Sequence, residues 1–137
     1  MKNHLDFSDA EFSSEFESCR LPPELFTHEA HLRLGWIHLK EQGGEAAVEI
    51  VRKQIANYVV HLGASDKFNV TLTVAAVKTV QHFWQKSTSD NFVDFMLEFP
   101  RLKYNFKELI SAHYGFDIYN SQRAKKAFLA PDLLPYD

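Results

Sequence analysis

Cysteine is nearly absent from the 137 residues: Cys19 stands alone, so no disulfide can form within the chain, and this thiol content fits a reducing compartment. No apolar run approaches the roughly 18 residues of a membrane span. Asp6, Asp9 and Glu11 interrupt the N-terminal stretch where a secretory signal would be apolar, so a cytoplasmic protein without a membrane contact is expected. Basic charge is in deficit as well. With a formal net charge of −3 there is no broad basic face, and nucleic acid is not an expected partner. A glycine-rich phosphate loop, a nucleophile elbow and carboxylate pairs at a telling spacing are all missing. So is His-Glu-x-x-His, since His28 and His31 are one residue too close. Cys19 has no flanking base and reads as a free structural thiol.

What the chain does have is rings. Twelve Phe and five Tyr point to a core packed with large side chains or, alternatively, to a ligand pocket lined by them. Charge is uneven along the chain. Asp6, Asp9, Glu11, Glu15, Glu17, Glu24 and Glu29 make the start acidic, while the segment from Arg101 to Lys126 is mostly basic. The two ends either neutralise each other within the fold or offer a docking surface to a charged partner.

The hydrophobic periodicity is helical throughout. Ser8 and Glu11 have the spacing of a capping box ahead of Phe12 and Phe16, which predicts a first helix over about 9–19. Pro22-Pro23 then forces an extended connector. Thr27 caps a second helix that runs to about Gln42 and stops at Gly43-Gly44. A third, over 45–62, carries Ala47, Val48, Val51, Ile55, Tyr58, Val59 and Leu62 on one stripe, with Gly63 as the stop. A fourth follows to about Lys86, with Leu72, Ala76, Val80 and Phe83 on a common face and Thr71 and His82 pointing outward. Ser89 or Asp90 opens a fifth helix with Phe92, Phe95, Met96 and Phe99, ending at Pro100. Two shorter helices are expected over 105–113 and 121–129, then an irregular tail over 130–137. Without repeats or long linkers, the expectation is a single all-α domain over 1–137, a compact bundle of six or seven helices.

The second helix holds the most informative pattern. At about 100° per residue, His28, His31, Gly35 and His38 fall within about 80° of each other. Leu32 and Leu39 flank this stripe on one side, Ala30, Leu34 and Ile37 on the other, and the charged Glu29, Arg33 and Lys40 share a narrow opposite sector. A row of imidazoles in the centre of an apolar arc needs partners. His28 and His31, three residues apart, suit two ligands of one divalent metal, although a catalytic zinc or iron site needs at least one more. The structural alternative is that the rings bond to core groups, His38 most of all. On the fourth helix Asn69 and Thr73 fall with Leu72 and Ala76. Asn69 is either an N-cap or a hydrogen-bond donor to a ligand.

These residues also carry a resemblance. Phe26-Thr27-His28-Glu29-Ala30-His31-Leu32-Arg33-Leu34-Gly35-Trp36 resembles the opening signature of a family of small bacterial helical proteins of unassigned function, Phe-x-His-x-x-His-h-Arg-h-Ala-Trp, with h apolar. Lys67-Phe68-Asn69-Val70-Thr71-Leu72-Thr73 is similar to its second signature, Lys-Tyr-His-x-Thr-h-Thr, and 121–135 to its closing one, Ser-x-x-Ala-Arg near Pro-Asp-Leu-x-Pro. The resemblance implies a three-histidine set at positions 28, 31 and 69. Here the third is Asn69, a poor ligand for zinc or iron. Two functions follow as expectations. One is an internal site of His28, His31, Asn69 and Thr73 that binds a small molecule or a divalent metal, with His31 as the catalytic base of any reaction. The other is a non-catalytic interaction or regulatory module with structural core histidines.

Overall fold

The computed structural model describes residues 2–137, which form eight α-helices and three 3₁₀ turns with no strand among the described residues. The chain divides into two compact units, 1–68 and 69–137, at a boundary that no linker marks in the sequence. The first holds α1 (Asp9–Glu17), α2 (His28–Gln42) and α3 (Gly44–His61). The second holds α4 (Val70–Trp84), α5 (Phe92–Glu98), α6 (Arg101–Tyr104), α7 (Phe106–Ser111) and α8 (Gln122–Lys126).

Local sequence sets most of the helix ends. Ser8 Oγ accepts from Glu11 N and the Glu11 carboxylate accepts from Ser8 N, completing the expected capping box. Thr27 accepts from Ala30 N at the start of α2. Gly43, at φ 83°, ends α2 and begins α3 in a conformation that favours glycine. Two ends differ from expectation. Asn91, not Ser89 or Asp90, caps α5 by accepting from Asp94 N. The hydroxyls of Ser87 and Ser89 donate instead to Glu98, at 2.6 and 2.7 Å. Pro100 stops α5 as expected and also precedes the unanticipated one-turn α6, since its fixed φ suits a helix start.

In the first unit, α2 packs along α3 and α1 lies against both. Phe12 and Phe16 of α1, and Ala47, Val51, Ile55 and Tyr58 of α3, are buried. The Tyr58 hydroxyl donates to Leu21 O at 2.7 Å, which fixes the segment between α1 and α2. Every residue of α2 from Leu32 to Leu39 is buried, so its middle two turns have no solvent face. Arg33, in the charged sector opposite the histidines, is only 4% exposed, and the reason is the polar cage described below.

In the second unit α4 packs against α7 and α8 around Ala75, Ile110, Tyr114, Ile118 and Ala124. Thr71 was expected to face outward and is instead fully buried. Its hydroxyl donates to Ala127 O at 2.8 Å and accepts from Leu129 N at 3.0 Å, so it fastens the chain beyond α8 to the start of α4. The tail over 130–137 lacks regular structure, as its prolines require. It is held by His113, whose Nδ1 donates to Leu134 O and whose ring stacks on Tyr136 at 3.9 Å, and by Asp132, which accepts from Gly115 N.

Two stability predictions follow from these contacts. Thr71→Val leaves Ala127 O and Leu129 N without their side-chain partner and should cost about 1–3 kcal/mol in denaturant unfolding, most of it restored by Thr71→Ser. Cys19, at φ 63°, holds a left-handed conformation that glycine adopts freely, so Cys19→Gly should raise stability by about 0.5–1 kcal/mol where Cys19→Ala does not.

Candidate functional site

Thr27 caps α2 so that His28 opens the helix and His31 lies one turn on, their side chains adjacent on its surface. The expected buried row of three histidines divides along the helix axis. His38, in the enclosed middle of α2, is 6% exposed, whereas His28 and His31, at its N-terminal end, are exposed. The periodicity gave the shared face correctly, but burial here changes along the axis as well as around it.

Phe26, carried to this end of α2 by the 3₁₀ turn Pro23–Leu25, stacks on His31 with ring centroids 3.8 Å apart and planes 23° apart. Phe26 rests in turn on Phe16 at 4.4 Å and meets Tyr58 edge-on at 5.4 Å. The His31 imidazole is pushed down from its ordinary value of 6.5 to about 4, first by desolvation and second by the proximity of His28. The residue is exposed, and the protein around it still makes the charged form less favourable than in water.

A second polar cluster, built on His4, was not anticipated. His4 is 2% exposed; its Nε2 meets Glu29 Oε1 at 2.8 Å, and Arg33 Nη1 lies 3.4 Å from its Nδ1. Arg33 also donates to His4 O at 2.6 Å, to Phe7 O at 2.8 Å and to Asp9 Oδ1 at 3.0 and 3.2 Å, with its guanidinium 4.9 Å from the Phe12 ring centroid. These contacts bind the segment before α1 to α2. Nothing in the spacing of His4 signals them, whereas Arg33 could have been suspected from its position among apolar neighbours. His38 faces Gln54 of α3. Burial lowers its pKa, while Gln54 and the carboxylates of Glu41 and Glu17 act in the opposite direction.

Asn69 is 7% exposed, and both ends of its amide are engaged. Oδ1 accepts from Leu72 N at 2.9 Å as the cap of α4, and Nδ2 donates to Ile118 O at 2.8 Å. Thr73 is half-buried, and its backbone N–H donates to Asn69 O. The structure thus places His28 and His31 together on α2 in the first unit, and Asn69 and Thr73 together at the start of α4 in the second. Among the described residues no group of three or more His, Cys, Asp or Glu side chains is placed to hold a metal ion.

Comparison with protein-family models finds no match to the chain. Comparisons with curated proteins and with solved structures find none either.

The depressed pKa of His31 has a measurable consequence. The folded state binds fewer protons than the unfolded chain between the ordinary value of 6.5 and the folded value of about 4. The stability gained by keeping His31 neutral is present above 6.5 and is lost as pH falls toward 4. NMR titration of the His31 ring should give a midpoint of about 4. His31→Phe should show a shallower loss of stability on acidification; a wild-type midpoint at the ordinary histidine value would overturn the desolvated geometry.

Proposed function

We propose that this chain binds a small molecule at the open N-terminal end of α2, through His28 and His31 with Phe26 behind them. One observation carries the reading: His31 is exposed to solvent while its ring is backed by Phe26, and desolvation lowers its pKa, which favours the neutral form. A neutral imidazole offers one donor and one acceptor on its edge, which suits recognition of a polar group. As a proton acceptor near neutral pH it is weak, because a base works best with a pKa close to the working pH. Binding is therefore favoured over general-base catalysis by His31. With its amide engaged at Leu72 and Ile118, Asn69 serves as a cap in this reading, and Thr73 has no assigned contact to the ligand. A divalent metal on the His28–His31 pair would need water or the ligand itself for its remaining positions.

The test combines elemental analysis of untagged protein, purified without chelators or metal columns, with an NMR fragment screen read on the histidine ring signals. Fragments are expected to shift His28 and His31 while leaving buried His4 in place. His31→Ala should abolish the fragment-induced shift of His28 while keeping a cooperative melt; an unchanged His28 shift would sink the assignment. A near-stoichiometric transition metal would instead make a metal site the leading reading. The alternative of an interaction module draws on Leu97 and Tyr104, 75% and 73% exposed on α5 and α6. It would gain if no fragment moved either histidine.

A further inference from the structure

We propose that the ligand of this site is a planar, uncharged heteroaromatic molecule that lies flat against His31 and extends the ring stack Phe16–Phe26–His31. The inference rests on the small-molecule reading above and deepens it to a chemical class. Its basis is the order of the rings. Phe16 is fully buried, 4.5 Å from Tyr58, whose hydroxyl is tied to Leu21 O. Phe26 lies on Phe16 with centroids 4.4 Å apart and planes 35° apart, and His31 lies on Phe26 at 3.8 Å and 23°. The stack starts in the core and ends on an exposed side chain. Since Phe26 occupies one face of the imidazole, ring surface open to solvent lies on the opposite face and the edge. A flat ring covered on one side and open on the other is a stacking platform of the kind on which proteins seat nucleobases and related heterocycles.

Charge on α2 supports an uncharged ligand. The buried cation of this helix, Arg33, is surrounded by Asp9 Oδ1, His4 O and Phe7 O, and Lys40 lies over the Trp36 ring two turns beyond His31. The carboxylate next to the site, Glu29, already accepts from His4. A carboxylate or phosphate on the ligand would meet a neutral imidazole and no free cation of this helix, which disfavours it.

The experiment uses the full chain and named probes. Adenosine, nicotinamide and indole are the planar set; glycerol, acetate and inorganic phosphate are the non-planar set. At least one planar probe should bind with upfield ring-current shifts on its own protons and on the His31 ring. Its affinity should be flat from pH 8 to pH 6, where an anion held by imidazolium would tighten. His31→Phe, which keeps the platform, should retain stacking affinity within about threefold, whereas His31→Ala should lose about tenfold or more. Equal affinity in His31→Ala overturns the proposal, as does planar binding that shifts neither His31 nor the probe. If only acetate, phosphate or glycerol perturbs His31, the small-molecule site stands and the planar class falls. If no probe perturbs His31, both fall.

Discussion

Burial of the Arg33 guanidinium is the constraint around which the first unit is arranged. A permanently charged group taken out of water is tolerated only when its donors are matched and its charge is met. Arg33 satisfies both with groups that lie more than twenty residues upstream: Asp9 supplies the carboxylate, and the carbonyls of His4 and Phe7 take further N–H groups. Because those carbonyls belong to the chain before α1, the path of that chain is dictated by a side chain of α2. His4 closes the arrangement by joining Arg33 to Glu29. With Glu29 held on this side, the same end of α2 leaves His28 and His31 exposed. The cage and the candidate site are thus two outcomes of how one helical end is dressed.

The second unit uses a quieter version of the same device. Two side chains of the first turns of α4 reach chain that is distant in sequence: Asn69 to Ile118 O, and Thr71 to Ala127 O and Leu129 N. Neither is charged, so the cost of burying them is smaller, and each is matched by backbone groups of the irregular segments on either side of α8. Capping and long-range fastening are combined in one residue at Asn69. That is an economical way to hold an irregular segment, since the cap has already ordered the side chain that makes the distant bond.

The helices and their caps were legible because their causes are local. Ser8 with Glu11, Thr27, Gly43 and the stripe Ala47–Val51–Ile55–Tyr58 each act over a few residues, and period alone separates helix from strand. Thr71 was misplaced, and the burial of Arg33 went unread, for the opposite reason: a polar residue gives no sign of burial unless its partner is known, and their partners lie 56–58 and 24–29 positions away. The one-turn helix α6 escaped because four residues are too few for any period to show. For the site, the pairing of His28 with His31 followed from spacing. Their exposure, and the stacking of Phe26 on His31, did not. Both depend on where the proline-bearing connector returns to α2, which no pattern within the helix encodes.

Asn69, expected from the sequence to join His28 and His31, is committed to structure within the second unit. A histidine at this position could supply imidazole, but its ring is a poorer N-cap than the asparagine amide, whose oxygen meets the third backbone N–H of the helix at short range. Here the amide has been given wholly to structure, one end capping α4 and the other bonding Ile118. The chemistry-bearing imidazoles exposed at the end of α2 are then His28 and His31, and His31 is held well below the ordinary histidine pKa. Low basicity and the aromatic backing of Phe26 make a neutral imidazole a weaker proton acceptor near neutral pH than an ordinary histidine, and that is the physical ground on which the proposed reading sets binding ahead of general-base catalysis.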